Sequence, residues 1–289
     1  MEDSMQYENP GTIVSTEWLF SHLDNPDLRI LDGTWFLPGV ERDAKAEYDK
    51  AHIPGARFFD IDHISDDSSC LPHMAPPYEK FVSRMLAMGV GDGHQIVVYD
   101  SHGLFSSARV WWLFRHMGHT QIAVLDGGMP KWISEGRPLE DMPPRATRRH
   151  MTARRQAHMV KSRSQVLSAS NSGAFEILDA RSPGRFLGSE TEPRKGLRSG
   201  RIPGSKNVFH LDLLNDNGTM KTPDELRDIF ADAGVDMSKP AITTCGSGIT
   251  AAIVNLALER TGKTDHALYD GSWTEWGKDS ELPIEKGER

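Results

Sequence analysis

One cysteine lies where a buried strand is predicted to end and a helix to begin. Cys245 follows an apolar and β-branched run at residues 241–244, and a helical pattern covers residues 251–260. The unpaired N–H groups and positive dipole end of a helix N-terminus favour a thiolate over a thiol. The thiolate is the nucleophilic form of cysteine, so this position is a candidate for covalent catalysis. By residue type alone, an inert core cysteine is the commoner interpretation.

The residues that follow this cysteine favour the binding of an anion. Gly246 and Gly248 allow successive backbone N–H groups to turn inward and form a nest for negative charge. Ser247 and Thr250 add hydroxyl groups that can hydrogen-bond to a thiolate, a persulfide or a substrate oxygen. Thr250 could instead cap the following helix, and the two roles are compatible.

A cysteine phosphatase is one alternative interpretation of this loop. Enzymes of that class clamp phosphate with an arginine six residues after the cysteine. The corresponding residue in this chain is Ala251. Because the guanidinium group is missing, phosphate transfer is a poor explanation of the loop.

The chain contains an internal repeat, and only one half of it has the cysteine. Strand ends, Pro-Gly turns and tryptophans recur at offsets of 144 to 149 residues, which indicates a duplication. Because a carboxylate replaces the thiol in the first half and cannot carry a sulfur atom, only the second half is predicted to be catalytic. The matched pairs are Asp32 with Asp179, His52 with Arg201, Asp100 with Cys245, and Trp132 with Trp276.

Strands alternate with helices in both halves, which predicts an α/β fold of two tandem domains. Each domain is expected to hold a mainly parallel sheet flanked by helices. We expect a first domain at residues 10–136, a polar linker at residues 137–159, and a second domain at residues 160–289. In such sheets, sites lie beyond the carboxyl ends of the strands. Cys245 and Asp100 are both predicted to occupy that position.

The composition narrows the classes of protein that this chain can represent. Its 289 residues carry a formal net charge of −8, which argues against a general nucleic-acid binder. No apolar run reaches the ~18 residues that a membrane span needs. The N-terminal segment 1–10 is acidic and lacks an apolar core, so we expect neither a secretory signal nor a transit peptide. With only two cysteines, no disulfide framework is expected, and a reducing cytoplasm is the expected compartment.

Taken together, these features resemble the tandem-domain rhodanese superfamily and, within it, the sulfurtransferases that act on 3-mercaptopyruvate. The resemblance includes the duplicated domains, two Ile-Pro-Gly turns and the exchange of aspartate for cysteine. It also includes the loop Cys245-Gly246-Ser247-Gly248-Ile249-Thr250 and the segments 58–62, 71–74, 109–112, 192–194 and 270–277. The similarity covers nearly the whole chain, and the combination is specific.

The resemblance implies sulfur transfer through a persulfide. Cys245 would attack the sulfur of 3-mercaptopyruvate, and pyruvate would leave as its enolate. A thiol acceptor, either a thioredoxin-like protein or a small thiol, would then collect the sulfur, and cyanide can replace it in an assay. No metal ion or organic cofactor is implied, since the chemistry needs only a polarised thiolate.

The resemblance also implies roles for individual residues. Arg185 and Arg194 match positions that bind the carboxylate and keto oxygen of the substrate, a task that suits guanidinium geometry. Ser247 matches a serine that relays a proton, and His73 and Asp62 match residues that work with it. By type alone, both arginines would be taken as surface residues and His73 as structural. The other loop residues implied to contact substrate are Gly246, Gly248, Ile249 and Thr250.

Two rival functions stay open from the sequence. Relatives that prefer thiosulfate look to have basic residues at the two positions after the cysteine, where this chain has the neutral Gly246 and Ser247. That difference favours a keto acid as substrate. A non-enzymatic sulfur carrier or docking module is the second rival, and the presence of Cys245 together with Arg185 and Arg194 argues against it.

Cys70 departs from the pattern of the family, whose members usually have proline at that position. It lies three residues before His73, so a resolving thiol that forms a disulfide with Cys245 under oxidation is one interpretation. A passive surface substitution is the other and the simpler one.

Overall fold

Every strand pairing within the two sheets of the protein is parallel. The computed structural model describes residues 11–287, so the predicted absence of a targeting signal in segment 1–10 lies outside the described residues. The first domain contains β1 (Ile13–Val14), α1 (Thr16–Ser21), β2 (Leu28–Asp32), α2 (Ala44–Lys50), β3 (Ala56–Phe58), α3 (Ile61–Ile64), α4 (Tyr78–Met88), β4 (Gln95–Tyr99), α5 (Ser107–His116), β5 (Ile122–Leu125) and α6 (Gly128–Ser134).

The second domain repeats this arrangement. Its sheet has the order β6-β10-β9-β7-β8, which matches the order β1-β5-β4-β2-β3 of the first sheet. The prediction of two duplicated α/β domains is therefore confirmed. The elements are β6 (Val160–Lys161), α7 (Arg163–Ser172), β7 (Glu176–Asp179), α8 (Pro183–Leu187), β8 (Lys206–Asn207), α9 (Pro223–Asp232), β9 (Ala241–Thr244), α10 (Ala251–Arg260), β10 (His266–Tyr269) and α11 (Ser272–Trp276), with short 3-10 helices at Ala157–Met159 and His210–Leu213.

The central strands of each sheet bring the sites of interest to one edge. All four residues of β9 are buried, as expected for a strand that helices cover on both faces. Thr244, the last residue of β9, pairs with Asp179 at the end of β7. Cys245 follows at once, and Asp100 follows β4 in the same way in the first domain. Both residues thus lie beyond the carboxyl ends of parallel strands, as the sequence predicts.

The two domains share one hydrophobic core through α5 and α10. Residues 251–258 of α10 are all buried, as an apolar helix must be when it has neighbours on every side. One continuous cluster joins Trp111 and Trp112 of α5 to Ile253 and Val254 of α10. This shared core holds the loops of the two domains in a fixed relation, so a site between them can be precise.

No helix within residues 11–287 combines the length and apolar character that crossing a membrane would require.

Candidate active site

Cys245 is held firmly by its backbone and is only 2% exposed. Its N–H donates to Ser272 Oγ at 3.3 Å, and its carbonyl accepts from the N–H of Trp273 at 3.0 Å. The N–H of Gly248 donates to Cys245 Sγ at 3.2 Å. The sulfur therefore already accepts one hydrogen bond of the kind that stabilises a thiolate.

The loop after Cys245 presents further donors. Gly248 has φ of +82°, a left-handed conformation that turns the chain back towards the sulfur. Thr250 is the N-cap residue of α10, but its side chain makes no capping hydrogen bond. Within residues 11–287, no acceptor faces the N–H groups of Gly246, Ser247, Ile249 and Thr250. These free amides are suited to binding negative charge from outside the protein.

In the first domain, Asp100 fills the equivalent nest with its own carboxylate. One oxygen accepts from the N–H of His102 at 2.9 Å. The other accepts from the N–H groups of Phe105 and Ser107 at 2.7 and 2.8 Å and from the Ser107 hydroxyl at 2.6 Å. The side chain is fully buried. The anion site of the first domain is therefore occupied by a side chain of the protein itself.

We therefore expect Asp100→Ala to destabilise the protein by about 3 kcal/mol, because three N–H groups and the buried Ser107 hydroxyl would lose their acceptor. Urea unfolding would measure the change. Asp216→Ala, which removes an exposed carboxylate, is the matched control and should change stability by less than about 0.5 kcal/mol. Equal stability of the two variants would show that the buried carboxylate does not hold its loop.

Two arginines of the second domain lie against the backbone of Gly246. A Cβ atom at this glycine would be 3.1 Å from Arg185 Nη2 and 3.7 Å from Arg194 Nη1. Arg194 Nη2 also donates to Ser247 Oγ at 3.3 Å. Arg185 lies in α8 and Arg194 in the irregular segment that follows α8. Both guanidinium groups nevertheless reach Gly246, the residue directly after Cys245.

The two arginines differ in how their charge is balanced. Arg185 Nη2 pairs with Glu192 at 2.6 Å, and this carboxylate also binds the buried Arg181. Arg194 has no carboxylate within ion-pair distance among residues 11–287. Burial lowers the pKa of Arg194, while the nearby Cys245 opposes that effect. Arg194 is therefore the cation that is best placed to neutralise an incoming anion.

The three residues predicted to relay a proton form a continuous chain across the domain boundary. His73 Nδ1 lies 3.1 Å from Ser247 Oγ, and His73 Nε2 lies 3.2 Å from Asp62 Oδ1. The other oxygen of Asp62 accepts from Trp35 Nε1 at 3.0 Å, and the Trp35 ring packs edge-on against His73. The hydrogen bond from His73 holds the pKa of Asp62 below its usual range.

The structure brings the predicted residues together at one site, except for the side chain of Ile249. Cys245, Ser247, His73, Asp62 and both arginines are joined by the contacts described above. Ile249 contributes its side chain to the hydrophobic core, so only its backbone can face a ligand. Cys70 is exposed whereas Cys245 is buried. Within the described part of the chain, no group of three His, Cys, Asp or Glu side chains is arranged to hold a metal ion.

Several residues near the site had no predicted role. Their contacts depend on the folded structure, and spacing along the sequence does not reveal them. These residues are Trp35, Arg109, Glu192, Asp270 and Ser272.

The chain is similar to known rhodanese-like proteins and sulfurtransferases over most of its length. The chain matches the Rhodanese-like domain family twice, over residues 15–135 and 162–279. It is 40% identical over 270 residues to 3-mercaptopyruvate sulfurtransferase of Homo sapiens, covering 91% of each chain. It is also 40% identical over 297 residues to thiosulfate/3-mercaptopyruvate sulfurtransferase 1, mitochondrial, of Arabidopsis thaliana, covering 96% of this chain and 78% of the relative. The crystal structure of SseA from Escherichia coli, described as a 3-mercaptopyruvate sulfotransferase, matches with a TM-score of 0.84 at 39% identity, covering 91% of this chain and 99% of that one.

Proposed function

The chain belongs to the family of rhodanese-like proteins, with two copies of the domain, and we propose that it is a 3-mercaptopyruvate sulfurtransferase that works through a persulfide on Cys245. The observation that carries the proposal is the arrangement around Gly246. A buried sulfur, a set of free amides and two guanidinium groups meet at this glycine. Such a set fits a small substrate that has both a carboxylate and a transferable sulfur atom.

In the first half-reaction, the Cys245 thiolate attacks the sulfur of 3-mercaptopyruvate and forms the S–S bond. The carbon–sulfur bond breaks, and its electron pair passes into the ketone to give the enolate of pyruvate. Arg194 and Arg185 bind the carboxylate and the keto oxygen, so their charge also stabilises the enolate as it forms. Protonation of the enolate carbon releases pyruvate and leaves the persulfide on Cys245.

Ser247, His73 and Asp62 supply and remove the protons. When His73 Nε2 carries the proton that Asp62 accepts, Nδ1 is free to accept the proton of the Ser247 hydroxyl. An incoming thiol can then give its proton to Ser247 as the hydroxyl proton moves to Nδ1. In the next cycle, the proton held on Nδ1 returns to Ser247 as the serine protonates the enolate. Asp62, whose lowered pKa keeps it ionised, holds the imidazole in this tautomer.

In the second half-reaction, a thiol acceptor attacks the outer sulfur of the persulfide. The S–S bond breaks, Cys245 leaves as the thiolate, and the acceptor carries the sulfur away. We propose a small thiol or a thioredoxin-like protein as acceptor. Since Cys245 is only 2% exposed, an acceptor has to meet the outer sulfur rather than Cys245 itself.

Thiosulfate is the second candidate substrate, because the name of the Arabidopsis relative includes it. A basic side chain at residue 246, the feature that thiosulfate users look to carry, would place its Cβ atom 3.1 Å from Arg185 Nη2 and would require that guanidinium to shift. The neutral loop therefore supports the keto acid.

We expect kcat/KM for 3-mercaptopyruvate to exceed that for thiosulfate by at least about 10-fold, because two arginines recognise a group that thiosulfate lacks. Both substrates would be assayed with cyanide as acceptor, following thiocyanate formation. A higher value for thiosulfate would overturn the substrate assignment while leaving the persulfide chemistry intact.

We further propose that the protein works in a reducing compartment, with the cytoplasm as the first choice. Both cysteines are free thiols, and Cys245 has to return to the thiolate after each cycle. Mitochondria are the alternative, because the name of the Arabidopsis relative includes them.

A further inference from the structure

A buried ion pair joins the two domains behind the loop of residues 245–250, which we call the cysteine loop. Arg109 of α5 places Nη1 2.7 Å from Oδ1 of Asp270, which follows β10 in the other domain. The two side chains are 2% and 4% exposed. The reaction described above uses neither residue. A buried ion pair requires good geometry and additional hydrogen bonds to offset its desolvation, so the other contacts of this pair are informative.

Each member of the pair holds a catalytic segment of the opposite domain. Arg109 Nη1 donates to the carbonyl of Gly248 at 3.3 Å, and Nη2 donates to the carbonyl of His73. In return, Oδ2 of Asp270 accepts from the N–H of Ala75 at 2.7 Å. The pair thus fastens the cysteine loop of the second domain and the His73 loop of the first to the same two side chains.

The backbone of His73 needs this support. Its φ is +61°, a left-handed conformation that is uncommon for residues other than glycine and costs conformational energy. Arg109 binds the carbonyl of His73, and Asp270 binds the amide two residues later. Both contacts stabilise this conformation. The imidazole is then fixed at 3.1 Å from Ser247 Oγ.

Gly248 connects the ion pair to the nucleophile. A Cβ atom here would lie 3.1 Å from Arg109 Nη1 and 3.2 Å from Asp270 Oδ1, so only glycine lets the loop rest on the pair. The carbonyl of this residue faces Arg109, while its N–H donates to Cys245 Sγ. A displacement of Arg109 would therefore move the donor that the sulfur uses.

We propose that Arg109 and Asp270 are positioning residues that set the cysteine loop and the proton relay in register across the two domains. This inference rests on the proposed function, since it assigns the pair to the same site. Substrate binding depends on Arg185 and Arg194, to which neither residue is bonded. The pair therefore acts on the chemical steps, and its loss should lower kcat rather than raise KM.

Arg109→Lys tests this directly, because lysine keeps the charge but lacks the planar fork that reaches three acceptors. We expect kcat for 3-mercaptopyruvate to fall about 30- to 100-fold, as for a misplacement of about 1 Å, with KM changed by less than about 2-fold. Asp270→Asn should likewise lower kcat with little change in KM. It provides the same test if Arg109→Lys does not fold.

Arg115→Met is the matched control. Arg115 lies six residues further along α5 and also forms a cross-domain ion pair, at 2.8 Å to Glu259, but it does not touch the site. Its loss should lower thermal stability with kcat unchanged. If Arg115→Met reduces kcat as much as Arg109→Lys, or if Arg109→Lys keeps the kcat of the native enzyme, the positioning role is wrong.

A second readout needs no substrate. In a Cys70→Ser background Cys245 is the sole thiol, and the pH dependence of its alkylation by iodoacetamide reports its thiolate. Arg109→Lys should shift the midpoint to higher pH, because the Gly248 donor moves away from the sulfur, whereas Arg115→Met should not. An unshifted midpoint in Arg109→Lys overturns the inference. If the native enzyme released no pyruvate from 3-mercaptopyruvate, the proposed function would fail, and the alkylation comparison would still decide the role of the pair.

Discussion

Cys245→Ser is expected to reduce pyruvate release from 3-mercaptopyruvate by about 10⁴-fold or more. A serine hydroxyl is a far weaker nucleophile than a thiolate, and a hydroxyl cannot carry the sulfur as a persulfide. The sulfur of Cys245 lies in a loop whose amides stabilise negative charge, and serine cannot exploit that setting at neutral pH. Steady-state release of pyruvate with cyanide as acceptor measures the effect.

Cys70→Ser is the matched control for this substitution. It removes the other thiol of the chain, which is exposed, and activity should stay within about 2-fold of the native value. Turnover by Cys245→Ser at the native rate would contradict the enzymatic assignment and would favour a carrier or docking role. A large loss in Cys70→Ser would instead revive the interpretation of Cys70 as a redox partner.

Arg194→Met is expected to lower kcat/KM for 3-mercaptopyruvate by about 10²- to 10³-fold. The structure leaves the charge of Arg194 without a carboxylate partner among residues 11–287, and its guanidinium reaches both Gly246 and Ser247. The substitution removes the charge that would meet the carboxylate and the developing enolate. Arg194→Lys should recover only part of the loss, because an ammonium group cannot form the bidentate contact. Initial rates at varied substrate concentration give the required constants.

Lys195→Met provides the control for the loss of a positive charge. Lys195 is the neighbouring residue and is exposed, so its removal changes the net charge equally without touching the site. Its kcat/KM should stay within about 2-fold of the native value. If Arg194→Met behaved like Lys195→Met, the arginine would not bind substrate.

The nucleophile and its domain could be predicted because the signals are local. A buried strand, a cysteine, two glycines and a helix follow each other within twenty residues, and parallel-sheet geometry then fixes where Cys245 must lie. The repeat added Asp100, whose position at the end of β4 is confirmed. That its carboxylate would occupy the nest of its own loop was not foreseen.

The arginines could be assigned only through resemblance to the family. Arg194 lies in the irregular segment after α8, where no hydrophobic period constrains the chain. Its neighbour Arg185 is oriented by Glu192, which in turn is fixed by the buried pair of Arg181 and Asp179. Such a polar network is a product of tertiary structure, and spacing along the sequence does not determine it.

Arg109 and Asp270 were missed for a related reason. Arg109 lies near the start of a largely apolar helix. The hydrophobic periodicity of this helix predicts which residues enter the core, but it predicts no role for a charged residue. Its partner is 161 residues away and belongs to the other domain. For Ile249 the sequence predicted a role that its side chain does not have. Its place in the loop motif implied substrate contact, yet its side chain packs in the core.

The most direct test of a persulfide on Cys245 is the intact mass of the protein after treatment with 3-mercaptopyruvate in the absence of any acceptor. We predict an increase equal to one sulfur atom, released on addition of cyanide or a thiol and absent from Cys245→Ser. Pyruvate should appear in equal amount, one molecule for each persulfide. Pyruvate release without a mass increase, or an increase that persists in Cys245→Ser, would contradict a persulfide carried by Cys245.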